Sequence, residues 1–339
     1  MRSILRTAVV AAAAMGATVL GVPAAGAAED PAAERRSTTA QSPIVQATVG
    51  YDVSHPQCGL TLPDDAAFAV IGVNGGIATT ENPCLADQWE WANDSSGAVP
   101  AQPRAQLYVN TANPGEVREQ VTTWPRLGGN RYGVCDGDNS AACSYEYGVD
   151  RAENDVRIVL DTLGAASPGA GNTAAVSRAD LVGLRWWLDV ETMNTWQTDG
   201  AAAQRNNRAT LEGMTDHLES VGGWVGLYST GYQWGEIVGE VPSWSSLHGL
   251  DSWLAGARSL SGSVANCSED PLVDGGRVVM TQYVEDDLDH NHSCVAAALS
   301  APATTALATT APSTTAPATT APATTAPAST TPTSAGASG

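Results

Sequence analysis

The sequence predicts an α/β protein folded as one closed βα barrel, and three observations predict it. Apolar, β-branched runs alternate with helical patterns along the chain, the mark of βα units around a parallel sheet. The segment carrying this alternation, residues 43–294, holds about 250 residues, the usual size of a single such barrel. After the fifth apolar run the helical patterns shorten or vanish, so the later part of the barrel should be strands with few helices.

The runs, in order, are Ile44–Val53, Ala67–Val73, Ala105–Asn110, Leu184–Glu191, Trp224–Thr230, Trp253–Gly256 and Val278–Val284. Helical patterns stand between them at Asn82–Asn93, Val149–Leu163, Ala201–Val221 and, more briefly, Tyr232–Val238. Gly75-Gly76, Asn113-Pro114-Gly115 and Gly222-Gly223 punctuate the joints. Residues 115–147 are too long for a joint and read as an insertion over one face.

The flanks are of another kind. Arg2 and Arg6, an apolar stretch over 8–22 and the small residues Ala25-Gly26-Ala27 read as an export signal, residues 1–27. That stretch is shorter than the about 20 apolar residues a membrane span needs. Residues 28–42 read as a flexible leader. From Val295 to Gly339 no side chain is charged, and Thr-Thr-Ala-Pro recurs from Thr309. Such a tract buries too little surface to offset its ordering entropy, so 295–339 should be a disordered stalk.

The chain of 339 residues carries 36 acidic and 16 basic side chains, a net charge of −20, and every basic one is arginine. With 43% hydrophobic residues a sizeable core is expected. This charge speaks against nucleic acid or an anionic membrane as partner, since neutralising phosphates needs a basic face. Export also explains Cys58, Cys84, Cys135, Cys143, Cys267 and Cys294. An even number in an oxidising compartment reads as disulfides, and sequence neighbours suggest Cys58–Cys84, Cys135–Cys143 and Cys267–Cys294, although other connectivities remain open.

The strongest chemical signal is Trp186-Trp187-Leu188-Asp189-Val190-Glu191. Asp189 and Glu191 are two apart on an apolar strand, so both point to one side. They fall at the strand's C-terminal end, where barrel enzymes keep their active sites. Mutual repulsion in such a place would raise one pKa, keeping a carboxylic acid protonated near neutral pH. Capping of loop amides, or pairing with arginine, is the structural alternative. Two further acids tip the balance. Asp52 closes the first strand in Tyr51-Asp52-Val53-Ser54-His55-Pro56-Gln57, and Asp289 follows the last in Thr281-Gln282-Tyr283 and Leu288-Asp289-His290-Asn291. First and last strands of a closed barrel are neighbours, so Asp52 and Asp289 should meet one pocket across the seam.

These motifs, a DVSxxQ first strand, a DxE fourth strand and a late QY…DxN, resemble those of the family 25 glycoside hydrolases, secreted muramidases, in the same order over residues 50–291. Gly226-Leu227-Tyr228-Ser229-Thr230 and Ser252-Trp253-Leu254-Ala255 are similar too. The resemblance implies a modified TIM-type barrel of five βα units followed by three strands. It implies Glu191 as general acid, Asp189 assisting a substrate acetamido group, and Asp52 and Asp289 completing an acidic floor; paired carboxylates suit an oxocarbenium-like transition state. Tyr228, Trp253 and Tyr283 are candidate surfaces for stacking sugar rings, with core packing as the alternative.

The chain departs from the family in strands two and three, where Asn74 replaces a basic residue and Asn110 stands among amides in place of aromatics. Asn74, Asn110, Asn113 and Asn194 would form a sugar-binding rim or serve as turn residues. Glu285-Asp286-Asp287 and Asp136-Gly137-Asp138-Asn139 fit no metal-ligand spacing, and no cofactor fingerprint is present. The expectation is therefore a secreted, monomeric, extracellular glycosidase without metal or cofactor, partnered by cell-wall polysaccharide and free of the membrane once the signal is cut. The competing expectation is an inert glycan-binding barrel on a stalk.

Overall fold

The computed structural model describes residues 48–164, 176–198, 200–286 and 288–295. The expected export signal and leader lie outside these residues, as does the tail beyond Val295. In chain order the elements begin with β1 (Val49–Val53), β2 (Ala69–Gly72), α1 (Leu85–Asn93) and β3 (Ala105–Asn110). A short hairpin, β4 (Gly128–Asn130) with β5 (Gly133–Cys135), leads into α2 (Ala141–Gly164). Then come β6 (Arg185–Asp189), α3 (Gly200–Ser220), β7 (Trp224–Ser229) and α4 (Gly231–Ile237). The chain finishes with β8 (Asp251–Ala257), α5 (Leu260–Asn266), β9 (Val278–Glu285) and β10 (Leu288–Ser293).

Among the described residues eight strands close into a barrel in the order β1-β10-β9-β8-β7-β6-β3-β2. Neighbours are parallel except β10, which runs antiparallel to both β9 and β1. All seven runs read from the sequence become strands. The eighth, β10, was missed as a run because its inward residues are polar and it shows no apolar alternation. The helices follow strands two to six of the barrel, not one to five as the five-unit expectation had it. After β1 there is only a 3-10 turn, His55–Gln57, because Pro56, Gly59 and Pro63 leave the short link to β2 no room for a helix.

Period-2 alternation sorts each strand between two cores. Ala69, Ile71, Leu107, Val109, Trp186, Leu188, Val225 and Leu227 face outward against the helices. Phe68, Val70, Trp187, Tyr228, Trp253 and Met280 pack inside the barrel. The Trp187 ring needs Gly226 opposite it on β7, since a Cβ there would run into the indole. Beneath Trp187 the interior is plugged by amides. Trp187 Nε1 donates to Gln106 Oε1 (2.9 Å), and Arg185 and Gln106 both donate to Gln102 Oε1 (2.9 and 3.2 Å). The polar groups of this plug are thus paired with one another, and a cavity lies at the C-terminal end of the parallel strands.

Outside, α2 and α3 cross at a pair of glycines. Gly148 lies against the Thr210 carbonyl and Gly213 against that of Tyr145, so the two backbones meet without intervening side chains. The insertion 115–147 supplies the β4–β5 hairpin and the first turns of α2, which begins earlier than the apolar pattern from Val149. Disulfides join Cys58–Cys84, Cys135–Cys143 and Cys267–Cys294, the pairing of sequence neighbours. The last ties β10's end to the turn after α5. Among the described residues no helix is long and apolar enough to cross a membrane.

Candidate active site

A cavity of about 310 Å³ sits over the Trp187 layer at the open end of the barrel. Asp52 reaches it from the end of β1, Asp189 from the end of β6 and Glu191 from two residues further on. Asp289 arrives from the start of β10, which is at the same rim because β10 runs antiparallel. Asp52 and Asp289 are direct partners in the β1–β10 register, so their side chains leave the sheet on one face. The adjoining walls are Tyr108, Tyr228, Trp253 and Gln282.

Asp52 is the most firmly held acid. Gln282 Nε2 donates to both its oxygens (3.1 and 3.0 Å) and Asn291 Nδ2 to one (2.8 Å). Gln282 is itself fixed, its Oε1 accepting the Tyr228 hydroxyl at 2.8 Å. Burial, then the Asp289 charge, pushes Asp52 up to about 8 against the pull of these hydrogen bonds. Asp189 is also buried, and burial, then Glu191 and Asp52, carries it well above the usual carboxylate range. Its Oδ1 finds no hydrogen-bond partner among the described residues.

Glu191 is half-buried. Burial raises its pKa, the Gln233 amide holds it down by hydrogen bonding, and Asp289 raises it further. Burial raises Asp289 while His290 beside it lowers it. Desolvation therefore leads in all four acids, ahead of the mutual repulsion that the sequence suggested. The backbone around Glu191 is tied down: its carbonyl accepts Trp196 Nε1 at 3.0 Å and the Asn194 amide at 3.1 Å.

Six sequence-named residues thus line one cavity: Asp52, Asp189, Glu191, Asp289, Tyr228 and Trp253. Trp253 is also core, its ring 4.3 Å from that of Tyr228. The structure places four others elsewhere. Tyr283 points out of the barrel and stacks on His290 at 5.0 Å, because its neighbours Gln282 and Val284 take the inward positions. Asn74 is fully buried under the rim, donating to Asp155 (2.9 Å) and accepting the Asn110 amide (2.6 Å). Asn110 pairs in register with Asp189 but does not line the cavity. Asn113 braces the insertion through Ser144 and Gln197.

Four contributors escaped sequence reasoning. Gln282 and Asn291 were visible in the late motif, but not as the donors that orient Asp52. Tyr108 shares the inward parity of Gln106 on β3 and supplies the aromatic that strand three had seemed to lack. Gln233 carried no signal, since its reach depends on how α4 starts: the Thr230 hydroxyl accepts the Gln233 amide at 3.1 Å.

No family profile matches the chain. It is 43% identical over 75 residues to lysozyme-like protein 5 of Caenorhabditis elegans, covering 22% of this chain and 33% of that protein. It is 30% identical over 115 residues to the probable GH family 25 lysozyme 4 of Dictyostelium discoideum, covering 31% and 50%. The chain thus spans a third to a half of the length of the curated relatives it matches. Among solved structures, a muramidase from Trichobolus zukalii overlaps 73% of this chain and 93% of that one at 17% identity, TM-score 0.39. A family 25 glycosyl hydrolase from Bacillus anthracis overlaps 72% and 88% at 15% identity, also with a loose TM-score of 0.39. In sequence, then, this chain is similar over part of its length to lysozyme-like proteins and to the lysozymes of glycoside hydrolase family 25.

Proposed function

We propose that the protein is a secreted glycosidase of lysozyme type, cleaving a β-linked, N-acetylated cell-wall glycan such as peptidoglycan. The observation that carries this reading is the convergence of four desolvated carboxylates from β1, β10 and the β6 end on one cavity walled by aromatic rings. Glu191, half-buried with a raised pKa, is the general acid that protonates the glycosidic oxygen. Asp189 receives the substrate's acetamido N–H on its unpartnered Oδ1. That hydrogen bond favours the ionised form of Asp189, which then steadies the acetamido group as its oxygen attacks the anomeric carbon. Asp52, oriented by Gln282 and Asn291, and Asp289 hold the sugar and keep Glu191 protonated. No cofactor enters the scheme.

The same reading takes 1–27 as an export signal, 28–42 as a leader and 295–339 as a stalk that leaves a monomeric barrel near the wall. The test is turbidity loss of purified cell walls across pH. Because Glu191 acts in its protonated form and its pKa is raised, lysis should persist into the range where an ordinary glutamate is ionised. It should then fall as pH climbs through the Glu191 pKa. A rate that keeps rising into alkaline conditions contradicts this role, and binding without lysis at every pH favours the inert barrel.

A further inference from the structure

The β4–β5 hairpin of the insertion turns at Arg131 and Tyr132, and one buried acid fastens this turn to the outer helices. Glu212 of α3 is fully buried. Its Oε2 accepts the Tyr132 hydroxyl at 2.6 Å and its Oε1 the Ser245 hydroxyl at 2.5 Å. Beside Ser245, in the link between α4 and β8, stands Trp244, 62% exposed, its ring 6.3 Å from that of Tyr132 in an edge-to-face pair. A single carboxylate thus anchors two neighbouring surface rings from distant segments of the chain. Arg205 of α3 joins them, its guanidinium 5.5 Å from the centre of the Tyr132 ring.

We infer that Trp244, Tyr132 and Arg205 form a second glycan-binding surface, which holds a peptidoglycan strand on the outside of the barrel. The inference rests on the glycosidase reading for its choice of glycan. None of the three residues lines the four-acid cavity. A tryptophan this exposed contributes little to the core, and a ring whose neighbourhood is pinned by a buried carboxylate stacks on a pyranose face at small entropic cost. The arginines divide the remaining work. Arg131 is neutralised by Asp216 and Glu212. Arg205 is exposed and makes no ion pair among the described residues, which leaves its guanidinium for a ligand carboxylate. Peptidoglycan offers both partners, neutral sugar faces beside the carboxylates of its lactyl groups and peptide stems. The net charge of −20 repels such a strand over most of the surface, so a local cation beside an aromatic face favours this landing place.

The test is co-sedimentation of the full chain carrying Glu191→Gln with peptidoglycan sacculi stripped of phosphate polymers, with and without Trp244→Ala. Loss of the stacking face should weaken binding about three- to tenfold, and Trp244→Tyr should keep most of it. Arg205→Gln should weaken it about two- to fivefold at low salt and change little at high salt. Both residues are exposed, so folding is not at risk; a thermal melt checks this. With Glu191 intact, Trp244→Ala should cut a soluble peptidoglycan tetrasaccharide at the unaltered rate. A matching loss of tetrasaccharide cleavage would put the effect in the cavity and overturn the inference. Wall binding that Trp244→Ala leaves unchanged overturns it too, as does retention only by walls that keep their phosphate polymers. So does a dimer that Trp244→Ala dissolves without touching wall binding. If the unaltered protein cuts no wall but binding still weakens with Trp244→Ala, the surface stands and the glycosidase reading fails.

Discussion

Glu191→Gln is expected to lower kcat on peptidoglycan by about two to four orders of magnitude, the usual contribution of a positioned general acid. An amide of the same shape keeps the contacts of the rim but has no proton to give the leaving oxygen. KM should change little, because in the proposed site Asp52, Asp189, Asp289 and the aromatic walls grip the sugar. Stability should hold or rise slightly. Burial already disfavours the charged Glu191, as its raised pKa records, so a neutral side chain costs the fold nothing there. Steady-state kinetics beside a thermal melt check both halves. Undiminished lysis would remove Glu191 from the chemistry.

Gly213→Ala is expected to be among the most damaging small substitutions in the outer layer. A Cβ at 213 would sit inside contact distance of the Tyr145 carbonyl, a backbone atom that cannot swing aside. The helices must then separate, straining the Thr210 hydroxyl's bond to the Ser144 carbonyl (3.0 Å). Overpacking of this kind costs about 3 kcal/mol. At about 2–4 °C per kcal/mol for a domain of this size, the melting temperature should drop by about 10 °C. Gly148→Ala meets Thr210 in the same way and should behave alike. Gly235→Ala, on α4 with open space around it, is the control and should be neutral or mildly stabilising. A melting temperature unmoved by Gly213→Ala would show that the helices do not cross as closely as described.

The parallel strands and the fourth-strand acids were legible because alternation and strand-end position are local properties of the chain. Trp187 inward and Trp186 outward follow directly from period 2, and Asp189 and Glu191 continue the inward parity. β10 was not legible as a run, since Asp289, Asn291 and Ser293 face inward and no apolar pattern marks it. Its residues still stood out, because the seam argument needs only that first and last strands are neighbours. Asn74 and Tyr283 were misplaced for a different reason. Where an asparagine's amide goes depends on partners far away in sequence, here Asp155 on α2. Tyr283 was read as a member of a motif when its parity already pointed outward. The reach of Gln233 arises from the way α4 docks beside the β6 end, a tertiary fact with no local signature.

In the proposed function the four-acid cavity cuts a glycosidic bond of the wall. Mass spectrometry of purified peptidoglycan after incubation tests it most directly. Soluble fragments with new N-acetylhexosamine reducing ends are expected with the unaltered protein and not with Glu191→Gln. Glycan strands that remain uncut while the protein stays bound to them would contradict it.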